Sequence, residues 1–212
     1  MIVLTAGQAA ALDRGTIEGG TPGIELMRNA GDAVFDVLRG EMFALGAGDA
    51  VVAAGTGNNG GDGFRVAYRL REYGIEPAVF LIGKKEKVKG DALVCMRELE
   101  NDGMKVVEIA DSRSLGRHAE TFLSASLIVD ALFGTGLRGE IEGIPARIVD
   151  LMNASRAKVV SVDIPSGVDA STGAVAAHSV SAQVTVTFGT LKAGHVMQPG
   201  RLLCGTVRVA DI

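Results

Sequence analysis

The sequence predicts a three-layer α/β/α sandwich of the Rossmann-like kind, with a mostly parallel sheet and two helices ahead of the first main strand. Three observations carry this expectation. A short apolar run, Val51-Val52-Ala53-Ala54, leads into a glycine-rich stretch and then into a helix-competent run from Phe64 to Leu70. Strand-length apolar runs then alternate with helix-length segments as far as residue 162. The polar and glycine-rich motifs all fall just after runs that read as parallel strands. Such alternation gives parallel pairing with right-handed crossovers. In open parallel sheets, ligands bind outside the carboxyl ends of the strands, where the strand order reverses.

The elements follow in order. Thr5 and Gln8 fit a capping box, opening a helix that runs to about residue 18. Thr21 before Pro22 starts a second helix. Ile24, Met27, Val34, Val37 and Leu38 recur along it at helical spacing, so it buries one face. Spacing alone reads the two as an added helical layer. Strands are expected over 49–54, 77–82, 105–109, 126–132 and 158–162, with helices over 62–73, 90–100 and 145–152. Another helix starts at Ser112 or Ser114 and ends near residue 123, and residues 83–89 form a basic turn. After Ala182 the helices stop, and 184–188 and 206–209 extend one sheet edge, with antiparallel pairing left open. If the first five strands are ordered 3-2-1-4-5, strands 1 and 4 meet at the reversal, and three distant motifs share one crevice.

Composition narrows the function. The chain has 212 residues, read as one domain over 1–212, and 47% hydrophobic residues supply a core. A net charge of −4 and 4% aromatics without Trp argue against a nucleic-acid partner. No apolar run reaches the ~18 residues that span a bilayer, so no membrane partner is expected. Cys95 and Cys204 lack metal spacing, and no secretory segment opens the chain. They read as reduced thiols of a cytoplasmic protein.

The first motif is GTGNNGGDG at 55–63. Its five glycines allow positive φ and close approach of a ligand to the backbone. The next helix aims free N–H groups at an anion. Asn58, Asn59 and Asp62, set among Gly60 and Gly61, depart from the plain dinucleotide fingerprint, and no Lys-Ser/Thr of a Walker loop follows. Amide oxygens and a carboxylate also suit a hydroxyl, an amide or a hard cation. A simple Asn/Asp/Gly turn is the plain alternative. Gly134, Thr135, Gly136, Leu137, Arg138, Gly139 and Glu140 form a second loop. Its backbone N–H groups suit another phosphate, with Arg138 as added charge or as a solvated side chain.

Asp130 ends an apolar run, where a carboxylate is costly unless paired. Asn59, Asp130 and Ser166 offer an amide oxygen, a carboxylate and a hydroxyl. One negative charge among neutral oxygens suits a monovalent cation better than Mg2+ or Ca2+. Capping of a loop is the alternative role for Asp130, and a turn role for Ser166. Asp163 ends the fifth strand, where partial burial suits it to proton transfer, with ribose binding or loop capping as the alternative. Lys192 follows the 184–188 strand and is either a cation near substrate or a solvated lysine. His118, His178 and His195 are scattered, with no i, i+4 pair for zinc.

GNNGGDG, DALFGTGL at 130–137 and SVDIPSG at 161–167 together resemble the YjeF N-terminal family, the NAD(P)H-hydrate epimerases. Leu12-Asp13-Arg14, LMRNAG at 26–31, and VTVTF at 184–188 followed by Lys192 match in the same order, so the resemblance covers essentially the whole chain. The first three motifs are specific as a set and weak singly. Arg28 departs, standing where the family often has an acidic residue. The resemblance implies an isomerase that interconverts the R and S forms of hydrated NADH and NADPH at C6 of the nicotinamide ring. The dinucleotide is then the substrate, on Asn58 to Asp62, on the 134–140 loop and on Asp163, with Asp163 and Lys192 catalytic. It also implies a potassium ion, one per subunit, on Asn59, Asp130 and Ser166. A homodimer is implied, as is a dehydratase partner that is fused in many relatives. The alternative is a non-catalytic nucleotide-binding or protein-interaction module on the same fold. A scaffold has no need to keep Asn59, Asp62, Asp130 and Asp163 together, and this chain has all four. An ordinary NAD-dependent dehydrogenase is weaker still, because Phe80-Leu81-Ile82-Gly83 offers no acidic residue for an adenine ribose.

Overall fold

Successive side chains of a strand point to opposite faces, and the central strands use this to feed two separate cores. The computed structural model describes residues 2–45 and 49–212. After a short β1 (Val3–Leu4) come α1 (Ala6–Glu18), α2 (Gly23–Leu45), β2 (Ala50–Ala54), α3 (Asn58–Glu72) and β3 (Ala78–Leu81). Next are α4 (Gly90–Asn101), β4 (Val106–Glu108), α5 (Ser112–Ser124), β5 (Leu127–Ala131), α6 (Gly143–Ala154) and β6 (Lys158–Val162). The chain closes with β7 (Val184–Phe188), β8 (Leu191–Lys192) and β9 (Thr206–Ala210). Val52, Ala54, Val129 and Val160 face one core with α2, α3 and α4. Val51, Ala53, Ile128 and Val159 face the other with α5 and α6. Helices on both faces of one sheet make the expected three layers. The second helix is not an added layer: Val34, Phe35 and Leu38 put α2 beside α3 on the sheet.

The large sheet runs β4-β3-β2-β5-β6-β7-β9. The condition placed on the first five strands is therefore met, and the reversal lies between β2 and β5. Every pairing in it is parallel. The antiparallel alternative at the edge does not hold. Residues 163–183 and 189–205 separate β6 from β7 and β7 from β9, long enough for the crossover that parallel strands need. Within the second crossover, β8 leaves the main sheet and pairs with β1, Leu4 opposite Lys192.

Two helix starts differ from expectation. Asp111, not Ser112 or Ser114, caps α5: its carboxylate accepts from Ser114 N at 2.7 Å, and Ser114 Oγ accepts from Asp111 N at 3.2 Å. The Thr5–Gln8 box on α1 forms as expected. α3 begins at Asn58 rather than Asp62, so Gly60, Gly61 and Gly63 lie inside the helix. None of the five glycines at 55–63 has positive φ. Their function is close approach. A Cβ on Gly60 would lie 1.9 Å from the Gly55 carbonyl oxygen, and one on Gly63 would lie 2.5 Å from Ala131 Cβ. One on Gly61 would meet Met27 Sδ at 2.5 Å and Ala92 Cα at 2.9 Å. The first turns of α3 thus sink against β5, α2 and α4, which the loss of glycine entropy alone would disfavour.

Arg28 of α2 pairs with Glu98 of α4, which accounts for a basic residue there. Cys95 and Cys204 are buried and unbridged, and burial first of all pushes their thiols up to about 12 and about 11. Thiols held protonated in this way are poor nucleophiles. Among the described residues, no helix is long and apolar enough to cross a membrane.

Close packing at the glycines predicts opposite signs for two similar changes. Gly63→Ala should destabilise the protein by about 1–3 kcal/mol through overpacking. Gly116→Ala, on an exposed turn of α5 with nothing within 4 Å of the new Cβ, should stabilise it by roughly 0.5–1 kcal/mol. Urea unfolding of the two variants checks this.

Candidate active site

A polar row crosses the sheet on the α5/α6 face. Asp130, Ser161 and Thr185 stand in register on β5, β6 and β7, with Ala53 of β2 opposite Asp130 on the other side. Asp130 is fully buried. Ser166 Oγ and Leu132 N donate to Oδ1 at 2.6 and 3.3 Å. Ser161 Oγ and Ser166 N donate to Oδ2 at 2.8 and 2.9 Å. Burial raises the Asp130 pKa and these four hydrogen bonds oppose it. The sequence reading of Asp130 as a carboxylate needing partners is met by hydroxyls and backbone. Ser166 also accepts from Phe133 N at 3.0 Å, tying the β6 turn to the loop after β5. Asn59, 9% exposed, lies at the start of α3 against Gly134, whose added Cβ would sit 3.0 Å from Asn59 Oδ1. Asn59 Nδ2 is buried and has no hydrogen-bond partner among the described residues.

One step further along β6, the chain makes an unusual turn. Asp163 is the only non-glycine residue with positive φ, 64°, among the described residues. Ile164 N donates to Val162 O across it at 2.8 Å, the hydrogen bond of a three-residue turn. Left-handed backbone costs an Asp roughly 1 kcal/mol or more, and persists where surroundings over-determine it. Here they do. Asp163 N donates to Val186 O at 2.7 Å, and His195 Nε2 contacts Asp163 O at 2.8 Å. Thr187 Oγ1 and Lys192 Nζ donate to Oδ1 at 3.0 and 2.7 Å. Among the described residues Oδ2 accepts no hydrogen bond, and the side chain keeps 13% exposure.

Lys192 is not the solvated lysine that its residue type suggests. It is 4% exposed, and its ammonium also reaches Thr187 Oγ1 at 2.8 Å and Phe188 O at 3.0 Å. Three N–H donors meet three oxygens, so the buried cation is satisfied. Pairing of β8 with β1 holds its backbone. The same N-terminal arm packs Ala6 against Ile164, Val168 and Ala170, and donates Ala6 N to Ser171 Oγ at 3.0 Å.

Two more carboxyls approach this pair. Asp62, partly exposed on α3, is raised well above the usual carboxylate range by burial first, then by the charges of Asp163 and Asp13. Lys192 opposes this. Asp13 on α1 is also raised, again by burial first, with Lys192 lowering it and Asp163 raising it. α1, α3, β8 and the turn after β6 thus each bring one ionisable group toward the same place beyond the strand ends.

The remaining expected residues divide. Asn58 is exposed at the first turn of α3, whose N-cap Gly57 supplies no side-chain cap, so its leading N–H groups stay available. Gly60 and Gly61 are buried, so they offer backbone only. Gly134 O accepts from Leu137 N at 3.2 Å, making a tight turn through Thr135 and Gly136. Arg138 folds back onto the carbonyls of Thr135 and Leu137. Gly139 has positive φ. Glu140 accepts from Ala177 N at 2.8 Å, bracing the neighbouring loop.

Sequence reasoning missed Ser161, Thr187 and His195 as site members. The alternation Val-Thr-Val-Thr in β7 carried a signal for Thr187, since a hydroxyl at every second position of a buried strand needs a polar neighbour. No local pattern marked His195. The other two histidines go elsewhere: His178 Nδ1 meets Asp150 at 2.8 Å, and His118 packs on Phe80.

The raised Asp62 has a measurable consequence. Folded protein binds that proton more tightly than the unfolded chain does. Its contribution to stability is complete below the unfolded carboxylate pKa of about 3.9 and is lost as pH rises through the raised value. Asp62→Asn should therefore be more stable than the parent above neutrality, with the gap closing on acidification. Unfolding midpoints across pH test this; a gap that widens in acid would contradict it.

Comparison with known proteins places these motifs. The family model described as YjeF-related protein N-terminus matches residues 23–194. An NAD(P)H-hydrate epimerase of Oenococcus oeni is 37% identical over 213 residues, covering 100% of this chain and 96% of that protein. A bifunctional NAD(P)H-hydrate repair enzyme Nnr of Moorella thermoacetica is 37% identical over 214 residues, covering 100% of this chain and 40% of that protein. Its counterpart from Thermofilum pendens is 40% identical over 187 residues, covering 88% and 35%. The chain thus spans well under half the length of these two bifunctional relatives. A yeast protein of known crystal structure superposes with TM-score 0.84 at 23% identity, covering 100% of this chain and 88% of that one, and shares the fold. With its motifs in contact beyond the strand ends and the family model matching most of its length, the chain belongs to the family of YjeF-related protein N-termini.

Proposed function

We propose that the chain is an NAD(P)H-hydrate epimerase, equilibrating the R and S forms of hydrated NADH and NADPH at C6 of the nicotinamide ring. The observation that carries this reading is the buried Lys192–Asp163 contact with the raised Asp62 beside it. A carboxylate held by an ammonium, with a second carboxyl beside it raised toward its neutral form, is what acid–base chemistry on a neutral ring requires. C6 of the hydrate bears a hydroxyl next to N1. Protonating that hydroxyl lets the N1 lone pair expel water and leaves a planar iminium. Water returning to the other face gives the opposite epimer, and the proton is recovered. No electrons are exchanged, so the dinucleotide is substrate and not cofactor.

In this scheme Asp62, held toward its neutral form, donates the proton. Asp163 accepts a proton from the returning water through its unclaimed Oδ2, its charge stabilises the cation between the two events, and exchange with solvent returns that proton to Asp62 before the next turnover. Lys192 orients that carboxylate. The free N–H groups at Asn58, Asn59 and Gly60 and the 134–139 loop anchor substrate phosphates. Asp163 thus takes the catalytic role rather than that of ribose binder or loop cap.

Asn59, Asp130 and Ser166 fit a potassium ion. Asp130 is a wholly buried carboxylate whose side-chain contacts are all neutral donors, and Asn59 presents a buried amide with an orphaned Nδ2. Its oxygen end would serve a cation. Potassium there would order the α3 start against the Gly134 turn and position substrate. Residues 1–212 act as one domain in the cytoplasm, where buried free thiols stay reduced. Exposed Ile2, Leu12 and Ile17 on the N-terminal arm support a homodimer. An NAD(P)H-hydrate dehydratase, joined to the chain or separate, is the partner that consumes the repaired epimer.

Proton NMR of a single enriched epimer, followed against a protein-free control, tests the reading. Added protein should speed equilibration, and Asp163→Ala should lose about 10²-fold or more of that acceleration. Replacing potassium by a bulky organic cation should raise KM more than it lowers kcat. Equilibration no faster than the control in potassium would overturn the epimerase reading.

A further inference from the structure

His195 lies behind the Asp163–Lys192 pair, 1% exposed. Its Nδ1 is 2.9 Å from Lys192 N, and its Nε2 is 2.8 Å from Asp163 O. A backbone N–H only donates, so Nδ1 must present its lone pair. A carbonyl only accepts, so Nε2 must carry the proton. Both contacts describe one species, the neutral ring protonated at Nε2. Burial lowers its pKa, and Lys192 and Arg201 push the same way against Asp163.

The ring therefore bridges the backbones of the two residues that the acid–base chemistry needs. A short 3-10 turn, Ala193–His195, returns it onto Lys192. From there it crosses to the end of β6, where Asp163 holds its left-handed turn. The carbonyl it grips belongs to that turn. We propose that His195 is the positioning residue of the pair: neutral imidazole pins Asp163 and Lys192 by their backbones, so carboxylate and ammonium keep their separation as charge moves during turnover. This rests on the epimerase reading given above.

The chemistry of the ring makes the role distinguishable from plain packing. Protonation at Nδ1 would set an N–H against the Lys192 N–H, and two facing donors cannot bond. The charged groups around the ring are Asp163 at the end of β6, Lys192 on its own segment, and Arg201 in the Gly200–Leu203 turn. Loss of the clamp should therefore contribute to the acid limb of kcat.

The test compares His195→Gln and His195→Leu in the epimer-equilibration assay. A carboxamide carries one acceptor and one donor and does not titrate. His195→Gln should keep kcat within about threefold of the parent and move the acid limb to lower pH. His195→Leu should lose about 10-fold to 10²-fold in kcat, the scale of a small misplacement, with KM within about twofold. Nitrogen-15 NMR of the parent should show the neutral ring protonated at Nε2 at neutral pH. Full kcat in folded His195→Leu, equal damage from Gln and Leu, an unmoved acid limb in His195→Gln, or a doubly protonated ring at neutral pH would each overturn the proposal. If His195→Leu fails to fold, the Gln profile and the ring spectrum still decide. An inactive parent would instead sink the epimerase reading, and the two failures are thereby separate.

Discussion

Lys192 Nζ lies 2.7 Å from Asp163 Oδ1, with both side chains nearly out of solvent. Taking an ammonium and a carboxylate out of water costs several kcal/mol per ion, and mutual attraction offsets this only with good geometry and further hydrogen bonds. The structure meets both conditions with parts from across the chain. Thr187 donates to the carboxylate while accepting from the ammonium, and Phe188 O takes the last ammonium proton. β1 pairs with β8, so the N-terminus holds the lysine strand. β7 fixes the Asp163 amide, and His195 its carbonyl. A pair so enclosed contributes little net stability. Its value lies in a fixed orientation at the cleft.

The second constraint is the approach of α3. Its glycines bring the helix start against β5 and α2. Close approach puts the leading N–H groups, Asn59 and Asp62 next to the Asp130 row and the Asp163 turn. It also desolvates Asp62, which raises its pKa alongside the nearby negative charges. Packing and proton affinity therefore share one origin. The Gly134 turn repeats the logic more mildly, since a Cβ there would sit 3.0 Å from Asn59 Oδ1 and press that side chain to shift.

Much of this was legible in the sequence because it is periodic or local. Strand–helix alternation indicated a parallel sheet, the 3-2-1-4-5 order entered only as a condition, and the polar motifs pointed to the carboxyl ends of the strands. The α3 start departs from the local signal because Asn and Gly read as turn formers, while tertiary packing here favours a helix that needs glycine for contact. Parallel pairing of β7 and β9 depends on where the long crossovers lead, which no local pattern records. Lys192 burial and the His195 contacts join residues that are 29 and 32 positions from Asp163. Such contacts are decided by the folded topology and leave no spacing signal.

The claim on which most depends is that Asp163 and Lys192 act as one unit. A double-mutant cycle tests this directly, with Asp163→Asn, Lys192→Met and the double variant assayed for epimer equilibration in the folded state. Residues that work as a unit are strongly non-additive. The double variant should be no slower than the slower single variant, within about threefold. Losses that simply multiply would contradict it, and would leave Lys192 and Asp163 as independent contributors.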